Sequence, residues 1–96
     1  MELTPKGMPT SLRPFFQEYV LEEIDPDDHP FTVIERTLEW GNREEVRWLF
    51  AHYGRARLAE WVQQVGWRCL SRRMLHLWRP YFDLPELPER RNAWPH

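Results

Sequence analysis

Two charged stretches are where this chain carries side chains able to do chemistry. Glu18, Glu22, Glu23, Asp25, Asp27 and Asp28 gather carboxylates among aromatic residues, a mixture that could hold a divalent cation or dock against a basic surface. A calcium loop needs alternating Asp/Asn with a glycine and a closing glutamate, and that pattern is absent, so no metal is expected. Docking is the better use of such a strip, which in a basic cleft would occupy a site that otherwise holds a nucleotide or nucleic-acid phosphate. In the other stretch Arg72, His76 and Arg79 recur at i, i+4 and i+7 with Arg73 beside them. One helix face bearing these groups could meet phosphates and guanine edges. Either stretch is also what an ordinary solvated surface looks like.

The remaining reactive side chains form no constellation. His29, His52 and His76 lack ligand spacing, and no serine or cysteine has an evident base. The four glycines read as an arm residue and helix stops, not as a phosphate loop. Cys69 stands alone between Arg68 and Leu70, so no internal disulfide can form and a small buried filler is expected. These features point away from an enzyme, with no catalytic residue and no cofactor.

A chain of 96 residues can build one modest core. Six tryptophans and an aromatic share of 15% make that core from a few large pieces, which rarely bury completely. No apolar run is long enough for a membrane span and the N-terminus has no signal-peptide layout, so a cytoplasmic protein is expected. The formal net charge is −2, but residues 1–45 hold four basic and eleven acidic side chains and residues 46–96 nine and four. Halves of net −7 and +5 attract each other or different partners.

Residues 1–14, with Pro5, Pro9, Pro14 and Gly7, will not sustain a helix and are expected as a flexible arm. Residues 15–28 have no clean period and suit either a short helix or an extended wrap. A first helix is capped by Asp28 or His29, admits Pro30 in its first turn and stops at Gly41; Phe31, Ile34 and Leu38 form one stripe and Val33, Thr37 and Trp40 another. A second runs from Asn42, with Glu45 completing a capping box, to Gly54. A third spans about Arg55 to Val65 before Gly66, and a fourth is capped by Ser71, with Leu75, Trp78 and Phe82 on one face and Pro80 loosening its end. The tail, residues 85–96, is proline-rich and expected to be irregular. The sum is an all-α compact bundle of about four short helices, residues 15–84, with irregular proline-rich ends.

Trp48 is the odd residue. If Val46, Leu49, Phe50 and Tyr53 are the buried stripe of the second helix, Trp48 points about 150° away. Leaving ~150–250 Å² of indole in water forgoes on the order of 4 kcal/mol. A cover is therefore expected, from residues 15–28, the tail or a partner protein, with Glu44, Arg47 and Ala51 flanking the patch. Exposed tryptophans could also meet across a two-fold axis in a homodimer.

The stretch "LRPFFQEYVLEEIDPDDHPFTVIERTLEWGNREEVRWLFAHYG" with the later "LSRRMLHLW" resembles a family of small, helical, uncharacterised prokaryotic proteins. The resemblance spans about Leu12 to Leu84 and rests on Ile34-Glu35-Arg36, Leu38-Glu39-Trp40-Gly41 and Val46-Arg47-Trp48-Leu49. Trp67 departs from it by replacing a polar position, and the proline-rich ends lie outside it. Members of that family are often encoded beside nucleotidyltransferase-like toxins of the abortive-infection type. The resemblance therefore implies an antitoxin-like or accessory protein of a toxin–antitoxin system, and it transfers no catalytic residue.

The expected function is protein–protein contact with a nucleotidyltransferase-type toxin through Glu44, Arg47, Trp48 and Ala51 together with Glu22, Glu23 and Asp25. The alternative is a helix-turn-helix DNA-binding regulator using Arg72, Arg73, His76 and Arg79.

Overall fold

Asn42 starts the second helix as its sequence demands: the Glu45 N–H donates to Asn42 Oδ1 and the Asn42 N–H donates back to Glu45 Oε1, both at 2.8 Å. These two bonds satisfy amides that the first turn leaves without helical partners. The computed structural model describes residues 1–84; the proline-rich tail and Trp94 lie outside the described residues. Helices α1 (Pro30–Trp40), α2 (Arg43–Tyr53), α3 (Arg55–Trp61), α4 (Trp67–Cys69) and α5 (Arg72–Tyr81) follow in order, preceded by short 3-10 turns at Thr10–Phe15 and Leu21–Glu23. Among the described residues there is no strand, and a single bridge joins Leu3 to Pro9. The fold is all-α.

Residues 1–14, expected to stand apart as a flexible arm, are packed into the same core. Met8 and Leu12 are fully buried and Thr4 nearly so. Thr4 closes a tight loop: its N–H donates to the Met8 carbonyl at 2.7 Å and its Oγ1 accepts from the Met8 N–H at 3.0 Å, while Gly7 supplies a φ of +100°. Prolines rule out an ordinary helix here but not burial, and the turn Thr10–Phe15 accommodates Pro14. Residues 15–28 take the extended-wrap form, burying Phe16, Leu21 and Ile24.

The helix boundaries at Gly41, Gly54 and Ser71 are as expected, and Gly66 is not. Gly41 keeps an ordinary φ of −69°; its need for glycine is steric, because a Cβ there would stand 2.5 Å from the Thr37 carbonyl oxygen. Gly54 uses a φ of +89°, which favours glycine. At Gly66 the chain continues through a π turn, Val62–Gly66, into α4. Only Leu70 and Ser71 then separate α4 from α5, so the connection expected over residues 66–71 is much shorter. The Ser71 side chain accepts from the Met74 N–H at 3.2 Å, and α5 ends one residue past Pro80.

Helix α1 packs on α2 and on the Thr10–Phe15 turn, α2 packs on α3, and α5 packs on the π turn. Val33, Ile34, Thr37 and Leu38 are the buried side of α1. Phe31 and Trp40, both assigned to buried stripes by the wheel, are 44% and 56% exposed. They sit at the two ends of the helix, where fewer neighbours are available to cover them. Trp78 bridges α5 to α1, donating its indole N–H to the Leu38 carbonyl at 3.0 Å.

Candidate partner-binding surfaces

Helix α2 is centred differently from its apolar pattern. Its buried line is Glu45, Leu49 and Tyr53, at i, i+4 and i+8. Val46 and Phe50 pack half-buried along one flank and Trp48 along the other. Measured from Leu49, Trp48 and Phe50 each stand about 100° to one side, so Trp48 borders the core. Glu45 displaced the centre: it is 2% exposed because Ser11, from the supposed arm, donates its hydroxyl to Glu45 Oε2. A buried carboxylate is tolerable when its acceptor sites are filled this way.

Trp48 therefore has a cover of its own. The indole stacks on His52 at 5.4 Å and 19° and meets Tyr53 edge-on at 6.4 Å. His52 Nε2 lies 2.9 Å from Asp27 Oδ1, and the Tyr53 hydroxyl donates to the Pro26 carbonyl at 2.6 Å. The turn around Asp25–His29 is thus tied to the end of α2 beside Trp48, and that indole does not require a foreign lid. Burial pushes the Tyr53 hydroxyl well above the usual tyrosine range. Glu44, Arg47 and Ala51 remain exposed and share the outward face of α2, with Trp48 at its margin.

The acidic strip is folded. Arg13 pairs with Glu22 at 2.5 Å. Asp25 closes a turn, its carboxylate accepting from the Asp27 N–H at 2.9 Å and its carbonyl from the Asp28 and His29 amides. Glu23 is exposed. The strip meets α2 through Pro26 and Asp27, so Glu22, Glu23 and Asp25 are not joined to the Arg47 face by any bond. Arg36 grips Glu18 with both terminal nitrogens and also donates to the Phe15 carbonyl at 3.0 Å.

Hydrogen bonding to Arg36 holds the Glu18 carboxyl at about 2, against an ordinary 4.5. Because the folded value lies below the unfolded one, this pair adds stability that is complete above about pH 4.5 and vanishes as pH falls towards about 2. Urea midpoints are expected to fall across that window, and the fall should be smaller in Glu18→Gln. Since Glu18 is exposed, high salt should narrow the difference between the two proteins.

A second surface was not legible from spacing. Trp40 stacks on Phe15 with centroids 5.9 Å apart and planes 18° from parallel. Together they wall a cleft of about 420 Å³ shared with Glu18, Glu35 and Arg36. Trp67 is also exposed, as are Tyr19 and Tyr81. The pairing joins residues 25 positions apart in the chain, and no periodicity reports such a contact.

On α5, Arg72, Arg73 and His76 are exposed and Arg79 is half-buried. Arg72, His76 and Arg79 share one flank, whereas Arg73 lies on the other with Leu77 and Tyr81. Arg55 covers the Tyr81 ring at 5.1 Å and donates to its carbonyl at 3.0 Å. Cys69 is half-buried; burial, with Glu35 nearby, pushes its thiol up, away from the thiolate form that reacts. Among the described residues no group of His, Cys, Asp and Glu is placed to hold a metal ion, and no helix is long and apolar enough to cross a membrane.

A family model described as a family of unknown function (DUF6922) matches residues 11–62. No curated protein and no solved structure matches the chain. The matched span contains α1, α2, the acidic strip and both walls of the Phe15–Trp40 cleft, and it ends before α5.

Proposed function

Starting from the premise that the chain belongs to this family of unknown function (DUF6922), we propose that it is a non-catalytic cytoplasmic binding protein. In this reading it is an antitoxin-like or accessory protein that holds a nucleotidyltransferase-type toxin by protein–protein contact and hinders access to the toxin's substrate site. The observation that carries a binding role is the exposure of five aromatic side chains, Tyr19, Phe31, Trp40, Trp67 and Tyr81, each more than 40% accessible. Aromatic residues left on a surface are what interfaces concentrate and bury. The partner class comes from the resemblance described above. The acidic excess of residues 1–45 suits a basic phosphate-binding cleft.

The outward face of α2 is the first surface to test. Arg47→Glu is expected to reduce co-purification with the neighbouring gene's product by about tenfold or more, since a charge reversal at an interface costs several kcal/mol. Helical content by circular dichroism should not change, because Arg47 is exposed. Trp48→Ala is a poorer probe, as it also removes packing against His52 and Tyr53. Undiminished binding by Arg47→Glu would exclude this face.

A DNA-binding reading draws support from the two-residue connection that leads into α5 and from the exposure of Arg72, Arg73 and His76. It demands a mobility shift on the gene's own promoter that weakens steeply with salt and is lost in the Arg72→Ala/Arg79→Ala variant. The absence of any shift at low salt would dismiss it.

A further inference from the structure

Trp40 has one indole face laid on Phe15, yet the residue is 56% exposed. More than half of the residue therefore remains open to solvent, and it borders the cleft. The cleft has three charged members, and two of them cancel. Arg36 is committed to Glu18 and to the Phe15 carbonyl, and its guanidinium lies 5.3 Å from the centres of the Phe16 and Tyr19 rings. Glu35 is half-buried and makes no hydrogen bond or ion pair among the described residues, although its charge acts on Arg36 and on the Cys69 thiol. The site thus presents a flat electron-rich face, an unpaired carboxylate and one net negative charge.

That combination selects a cation, and a planar one. A guanidinium can lie flat on an indole while its edge donates to a carboxylate, whereas an ammonium is more strongly hydrated and cannot stack. A single stacked contact and one ion pair cannot retain a free amino acid against the freedom it would lose. The guanidinium must therefore arrive on a larger surface that contributes contacts of its own. We propose that the Phe15–Trp40 cleft receives an arginine side chain of a partner protein, stacked on the indole of Trp40 and paired with Glu35. This deepens the reading of a binding protein and rests on it, without depending on which partner is bound.

The test uses the full chain labelled with ¹⁵N and two capped hexapeptides, one alternating glycine with arginine and the other glycine with lysine. The Trp40 indole signal, identified by its loss in Trp40→Phe, should shift on titration. The arginine peptide is expected to bind about fivefold tighter than the lysine peptide, reflecting the stacking that only guanidinium allows. Glu35→Gln should weaken binding of the arginine peptide by about fivefold, and Trp40→Ala, followed through the backbone amide signals that shift in the parent protein, should abolish it; circular dichroism checks that each variant folds. Equal affinity for the two peptides, or an unchanged affinity in Glu35→Gln, would mean diffuse attraction to the acidic half of the chain and would overturn the proposal. So would a Trp40 signal that moves on truncation after Leu84, which would assign the cleft to this chain's own C-terminal segment. A signal that moves with protein concentration would assign it to a second copy and would overturn the proposal equally. The Arg47→Glu experiment is separate: co-purification that survives the loss of peptide binding would leave the partner contact standing and remove this cleft from it.

Discussion

Trimming Leu12 to alanine is expected to destabilise the protein by about 2–5 kcal/mol, as much as the same change at Leu49 in the middle of α2. Both side chains are fully buried in one cluster. Each truncation removes apolar area from the core and leaves a cavity that close-packed neighbours fill incompletely. The equality matters because a peripheral arm would give way cheaply, by detaching while the helices stay folded. Urea denaturation followed by tryptophan fluorescence measures it, and Gln17→Ala, at an exposed position of the wrap that follows, should change stability by less than about 0.5 kcal/mol. A cost at Leu12 nearer that of Gln17 would return residues 1–14 to the role of an appendage.

Trp78→Ala is expected to cost about 3–5 kcal/mol. The residue is 7% exposed and packs with Phe50, Tyr81 and Phe82, at 6.1, 5.4 and 5.8 Å between ring centres. It also fills a specific vacancy, since Leu38 lies in the last turn of α1, where carbonyls have no helical donor, and the indole N–H supplies one. Trp78→Phe separates the two contributions. It retains much of the ring packing but leaves the Leu38 carbonyl without this donor, and it should cost about 1–3 kcal/mol. If the alanine and phenylalanine variants were equally stable, the ring itself would contribute nothing and the packing account of α5 would be wrong.

What could be read from sequence divides by range. The capping box of α2, the serine cap of α5 and the stop at Gly54 depend on residues within one turn of each other, and each was visible in residue type and spacing. Gly66 misled because glycine permits a stop without imposing one; here it is buried beneath Val62 and Leu70, where a Cβ would meet Val62 Cγ1 at 3.2 Å. The prolines of residues 1–14 spoke only about local conformation, and nothing local announces that Met8 and Leu12 fill space between helices. The same blindness displaced the centre of α2. Glu45 reads as surface until Ser11, 34 residues away, is known to bond it.

The candidate surfaces follow the same division. Exposure of Glu44, Arg47 and Ala51 was legible from the helical wheel, because outward positions are those an apolar stripe leaves behind. Cover for Trp48 was not legible, for it comes from His52, which a wheel treats as polar, and from bonds of Asp27 and Pro26 to the end of α2. The Phe15–Trp40 stack required an aromatic from the wrapped N-terminal segment to meet one at the last residue of α1. A tryptophan beside a helix-stopping glycine can face either way, so its apolar character alone pointed inward.

Hydrogen–deuterium exchange on the complex captured from native cells, compared with the free protein, tests the binding role most directly. Protection is expected in Pro14–Glu18, in the C-terminal turn of α1 and along Glu44–Ala51, with α5 unchanged. Protection confined to Arg72–Arg79, or a pattern identical to that of the free chain, would contradict it.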